Sequence, residues 1–169
     1  MKIRNIALLG MAAWSLAGCA TVLNGVNQDL EFRSDPDAAV VALSSGQTCT
    51  TPCAFSLRRG NDLRVDFSRE GYRSEFVYVQ SRLAGSTFGN VLAGGVIGAV
   101  VDGSNGSSNR LYPNPVYIRL VRNGSSDAAV LLDEEGVVIS TVAEHNASVE
   151  TDVLEGLANQ GVTETAIDN

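Results

Sequence analysis

The sequence predicts an all-β fold, a small β-sandwich, from three features. Apolar and polar residues alternate at period two in short runs, the runs recur about every 8 to 12 residues, and Gly, Pro, Asp and Asn separate them. Leu30 and Phe32 alternate with Glu31 and Arg33, and Asp35-Pro36-Asp37 breaks the run before Ala39 to Leu43. Phe55 and Leu57 continue the pattern beyond Cys53, and residues 59–62 turn the chain. Leu63, Val65 and Phe67 then alternate with Arg64, Asp66 and Ser68, which puts the three apolar side chains on one buried face. Glu70-Gly71 makes another turn, and Phe76 to Val79 make the next strand. Val116, Ile118 and Leu120 form a closing strand behind Pro113 and Pro115, residues that suit a strand start or edge because they lack an N–H. The sandwich is expected to span residues 27–121.

A Gly-rich insertion, residues 84–109, interrupts this pattern. Drawn as a helix, its core "NVLAGGVIGAVVD" sets Gly94, Gly95 and Gly98 on one arc and Leu92, Val96, Ile97 and Val100 opposite. Each glycine costs nearly 1 kcal/mol against alanine inside a helix, so a close backbone approach must offset it. The three glycines are therefore a candidate packing or interaction groove, facing the chain's own sandwich, a second copy or a membrane. The apolar run from Val91 to Val101 reaches only about half a bilayer thickness before Asp102, which excludes a spanning helix.

Charge divides the chain unevenly. Residues 19–122 carry ten arginines against nine acids, whereas residues 123–169 carry ten acids and no lysine or arginine. Low aromatic content and high negative charge predict an acidic, largely flexible tail over 122–169. Within it, Val130 to Leu132 and Val137 to Ile139 form a hairpin pattern, and Val149, Val153, Leu154 and Leu157 have the spacing of a weak amphipathic helix. Asp133 to Glu135 lack the oxygen-ligand spacing of a calcium loop. No basic cluster suits nucleic acid, and that class is excluded.

The first 18 residues read as an export signal: Lys2 and Arg4, an apolar run from Ile6 to Leu16, then small residues. Leu16-Ala17-Gly18-Cys19 resembles the bacterial lipobox. The resemblance implies cleavage before Cys19, a diacylglycerol thioether and an N-acyl chain such as palmitate on that residue, and a lipidated tether over 19–26. Two or more acyl chains hold a protein on its membrane. Ala20, where an aspartate is absent, resembles lipoproteins passed on to the outer membrane, facing the periplasm.

With Cys19 taken by lipid, Cys49 and Cys53 are left as an even pair in an oxidising compartment. A zinc site would need two more ligands, and the sole histidine, His145, lies far away in the tail. A redox pair would normally be spaced Cys-x-x-Cys at a helix start, but Thr50-Thr51-Pro52 reads as a turn. A disulfide that pins this turn is the expected outcome.

Ser34-Asp35-Pro36-Asp37-Ala38-Ala39-Val40, followed by Gly46, Thr51-Pro52 and Gly71-Tyr72, resembles the PEGA family of envelope β-modules over about residues 27–80. Gly89-Asn90, Gly94-Gly95, Ile97-Gly98, Asp102 and Gly106 resemble a group of proteobacterial lipoproteins that join such a segment to a PEGA-like module. The resemblance implies a non-catalytic sandwich of the carboxypeptidase-regulatory kind and brings no active site or cofactor. No nucleophile elbow or histidine–carboxylate set is legible. The sequence thus predicts a membrane-anchored structural or assembly module that docks on an envelope protein or on itself. Its rival is a glycan- or peptidoglycan-binding module, which would use exposed aromatic faces such as Tyr72, Tyr78, Tyr112 and Tyr117.

Overall fold

The computed structural model describes residues 25–84 and 109–162. The segment expected to act as an export signal, Cys19 and the glycines Gly94, Gly95 and Gly98 lie outside the described residues. Ten strands run in chain order: β1 (Asn27–Asp35), β2 (Val40–Leu43), β3 (Thr48–Thr50), β4 (Cys53–Arg58), β5 (Leu63–Ser68), β6 (Glu75–Leu83), β7 (Asn109–Tyr112), β8 (Val116–Arg119), β9 (Val130–Leu132) and β10 (Val138–Thr141). One helix, α1 (Val142–Asn159), follows. The strands form two five-stranded sheets, ordered β10-β9-β8-β1-β4 and β3-β2-β5-β6-β7. Every pair is antiparallel except β1 with β8. This is the small sandwich that the alternation predicts, with a helix added.

Period-two spacing directs Leu30, Phe32, Val41, Val65, Phe67, Val77, Val79 and Ile118 into the space between the sheets, where each is fully buried. The turn after β1 and the turn before β4 are hydrogen-bonded to each other. Ala38 N donates to Thr51 O at 3.1 Å, Thr51 N to Ala39 O at 2.9 Å, and Ala39 N to Thr51 Oγ1 at 3.0 Å. The Ser34 hydroxyl meets that of buried Thr51, which satisfies both in the interior. Ala38 sits at φ 64°, a left-handed conformation that disfavours any side chain.

The low-order tail predicted for 122–169 is corrected here. Residues 130–141 supply β9 and β10, and α1 packs against β6, so the sandwich does not end near Val121. The helical spacing of Val149, Val153 and Leu157 outweighs the acidic composition: Val142, His145, Asn146, Val149, Val153 and Leu157 are buried on one helix face, while Glu144, Glu150, Asp152 and Glu155 point to solvent. Val149, Val153 and Leu157 close over the Tyr78 ring on the face of β6 that points away from the main core. The start of α1 is fixed by a capping box. Thr141 Oγ1 accepts from Glu144 N at 3.1 Å, and the Glu144 carboxylate accepts from Thr141 N at 3.1 Å.

Replacing Ala38 with glycine removes the left-handed penalty without touching the core. Ala38→Gly is expected to stabilise the fold by about 1 kcal/mol, read as a raised urea midpoint at unchanged slope.

Candidate functional site

Two strands stop at prolines, and side-chain amides take over the strand edges left behind. β7 ends at Tyr112 because Pro113 has no N–H to donate, so the upper part of β6 has no strand beside it. Asn146, projecting from α1, fills that place. Its Oδ1 accepts from Tyr78 N at 3.0 Å and its Nδ2 donates to Phe76 O at 2.8 Å. His145 adds a third bond, with Nε2 2.8 Å from Tyr78 O, and because a carbonyl only accepts, Nε2 carries the proton. Pro115 likewise precedes β8, and Asn114 covers the open edge of β1, accepting from Glu31 N at 3.2 Å and donating to Asp29 O at 3.0 Å. Gln28 spans the sheets, accepting from Leu111 N at 3.2 Å and donating to Leu111 O at 3.4 Å.

The seam between α1 and β6 holds two titratable groups. His145 was expected in a flexible tail, but it is buried under the helix, where desolvation holds its pKa below the usual range and the nearby Arg82 charge adds to the effect. Asp62, in the β4–β5 turn, accepts from Ser81 N at 2.7 Å and lies against Gly156 of α1, where a Cβ would collide with its carboxylate. Burial pushes its pKa up to about 6, and Asp152 on α1 contributes by repulsion, against the lowering effect of the Ser81 N–H. Gln80 holds Asp152 at 2.9 Å.

Cys49 and Cys53 stand at bonding distance, with sulfurs 2.03 Å apart and Cα atoms 6.4 Å apart. They join β3 of one sheet to β4 of the other at the corner where the chain crosses. Near this corner Asp29, Glu31, Asn114 and Glu134 line a shallow depression of about 470 Å³, in which Glu31 is bound by Arg33 at 2.7 Å. Asp133 is committed to its own turn, its Oδ1 accepting from Glu135 N at 3.1 Å and Val137 N at 2.8 Å. Among the described residues no group of three or more His, Cys, Asp or Glu side chains could hold a metal ion, and no helix is long and apolar enough to cross a membrane. The clearest apolar exposure lies on and beside edge strand β10, where Val137, Val138 and Ile139 are 60%, 51% and 55% exposed. Comparison with protein-family models, curated proteins and solved structures gives no match.

The amide contacts were missed in the sequence, although Asn114 directly precedes Pro115 and Asn146 falls on the apolar face defined by Val142, Val149 and Val153. A polar residue on an apolar helix stripe is the signal that would have found Asn146.

Asn146→Ala leaves the Tyr78 N–H and Phe76 carbonyl buried without partners and is expected to cost about 1–3 kcal/mol in urea unfolding. The pH dependence isolates Asp62. The folded state binds its extra proton between about pH 4 and pH 6, so the stability this group contributes falls as pH rises through that window and is level above it. His145 acts oppositely, since its lowered pKa makes the fold gain stability as pH rises towards 6.5. Asp62→Asn keeps the acceptor for Ser81 N and shares the His145 effect. Urea midpoints at pH 4 and pH 7 should show the variant gaining on the parent at pH 7 and converging with it at pH 4.

Proposed function

We propose that this chain is a membrane-anchored envelope lipoprotein, fixed through acyl chains on Cys19 to the outer membrane and facing the periplasm. It acts there as a non-catalytic structural or assembly module. The observation that carries this reading is β10, an edge strand among the described residues, on and beside which the consecutive β-branched residues Val137, Val138 and Ile139 lie exposed, an apolar edge surface that a second protein can cover. The PEGA-like assignment is supported by Ala38, whose left-handed backbone stands at the glycine position of the Pro-Glu-Gly-Ala tetrapeptide. The sole histidine serves the α1 seam, which fits a scaffold rather than a reaction centre.

The aromatic rings favour docking over glycan binding. Tyr78 is buried, the Arg82 guanidinium lies 4.1 Å from the Tyr112 ring centroid, and Arg64 covers Phe76 at 4.3 Å. Tyr72 has Arg69 and Arg122 at 5.5 and 5.6 Å. Stacking platforms for sugar rings are therefore largely occupied by arginines.

A photo-crosslinking residue placed at Val138, compared with one at exposed Val40 on the other sheet, tests this in living cells. A discrete product from Val138 that is absent from Val40 is expected, in the membrane fraction, and Cys19→Ala should abolish it. No discrete product at Val138, with saturable retention of the protein on purified peptidoglycan, would replace this reading with the glycan-binding one.

A further inference from the structure

We infer that the pole of the sandwich formed by Val26, Arg58, Arg59, Leu83 and Arg110 is a docking face for anionic phospholipid headgroups. The inference rests on the anchored reading above and names the surface that the anchored domain turns to its membrane.

Strand register brings these residues to one end of the molecule. Asn27 at the start of β1 pairs with Arg58 at the end of β4, and Leu83 at the end of β6 pairs with Asn109 at the start of β7. Arg59 N donates to Val26 O at 2.9 Å, and Ser81 Oγ donates to Arg59 O at 2.6 Å, which ties the ends of both sheets together. Val26 and Leu83 are 44% and 53% exposed, and Arg58 and Arg110 are exposed beside them. Apolar side chains set among arginines are the composition that enters a headgroup layer.

Charge at the two poles is handled differently. At the far pole Arg73 is paired with Glu75 at 2.6 Å and Arg119 with Asp35 at 2.7 Å. At the near pole Arg82 and Arg110 stand directly opposite on neighbouring strands, with the Arg82 guanidinium over the Tyr112 ring and Arg110 exposed. Among the described residues the acids towards this pole include Asp29 near the start of β1, Asp62, held by Ser81 N, Asp152, held by Gln80, and Glu155 on the outer face of α1. Position agrees with charge. β1 begins at this pole, and the six residue-to-residue steps from Cys19 to Gly25 reach at most about 20 Å when extended, so an anchored Cys19 keeps the arginines within about two Debye lengths of the headgroups.

The test reconstitutes the processed full chain into vesicles of phosphatidylcholine alone or of phosphatidylcholine with phosphatidylglycerol, and reads amide hydrogen exchange. Exchange in segments 26–28, 58–62 and 81–83 should slow about fivefold or more with phosphatidylglycerol, the effect of at least one engaged arginine. Arg58→Glu combined with Arg110→Glu should erase the difference while leaving exchange in phosphatidylcholine unchanged. Equal exchange in both vesicles, slowing that survives the double variant, or slowing at the Arg69–Arg73 pole instead would overturn the inference. Flotation with phosphatidylcholine vesicles reads the anchor separately. Failure to float there overturns the anchored reading, and the docking face then stands or falls on flotation with the phosphatidylglycerol vesicles.

Discussion

The architecture depends on side-chain amides that act as peptide groups. An Asn or Gln side chain offers one carbonyl acceptor and an N–H donor at nearly the spacing of a backbone amide, so it can satisfy a strand edge where no strand can lie. Asn146 does so for β6, Asn114 for β1, and Gln28 for Leu111 of β7. Each is needed because prolines stop the neighbouring strands or because the two sheets meet without a ladder. Asn146 matters most, since its contacts are shielded from water, whereas water competes at exposed Asn114. Without Asn146 the helix would lose two of the directional contacts that set its position along β6.

That polar requirement explains why the α1 seam is not a purely hydrophobic interface. Val149, Val153 and Leu157 supply burial, and His145 and Asn146 supply register, at the cost of a histidine held neutral. Gly156 admits the Asp62 carboxylate against the helix backbone, which closes the lower end of the seam. The helix is thereby fixed at three levels along β6: Phe76 and Tyr78, Gln80, and Ser81 through Asp62. Such stacking of directional contacts specifies one placement where an apolar stripe alone would tolerate sliding.

Much of the first half of the fold was legible because its signal is local. Leu63, Val65 and Phe67 declare a strand by alternation alone, and the Pro36-Asp37 and Glu70-Gly71 turns separate strands by known turn chemistry. The second half failed where local composition and tertiary context disagree. Ten acids made residues 123–169 look unable to support a core, yet the acids of α1 occupy its solvent face and leave a narrow apolar stripe intact. His145 illustrates the same limit. In the sequence it is an isolated titratable residue, and only the unfilled edge of β6 gives it a task. Strands as short as β3 and β7 carry too few alternations to be read without their neighbours.

The directions of the strands connect the two proposed surfaces. β1, β4, β5, β6 and β7 all begin or end at the arginine pole, so a sandwich resting on that pole stands with its strands roughly along the membrane normal. The sheet edges then face sideways. Edge strand β10, with Val137, Val138 and Ile139 on it or beside it, would be presented to neighbours in the plane of the membrane rather than to the lipid or the bulk phase. One geometry would thus assign separate partners to separate surfaces: headgroups to the pole where β1 begins, and protein to the lateral edge. Acidic α1, which continues directly from β10, packs on β6 of the opposite sheet, and its charged outer face discourages association over that sheet.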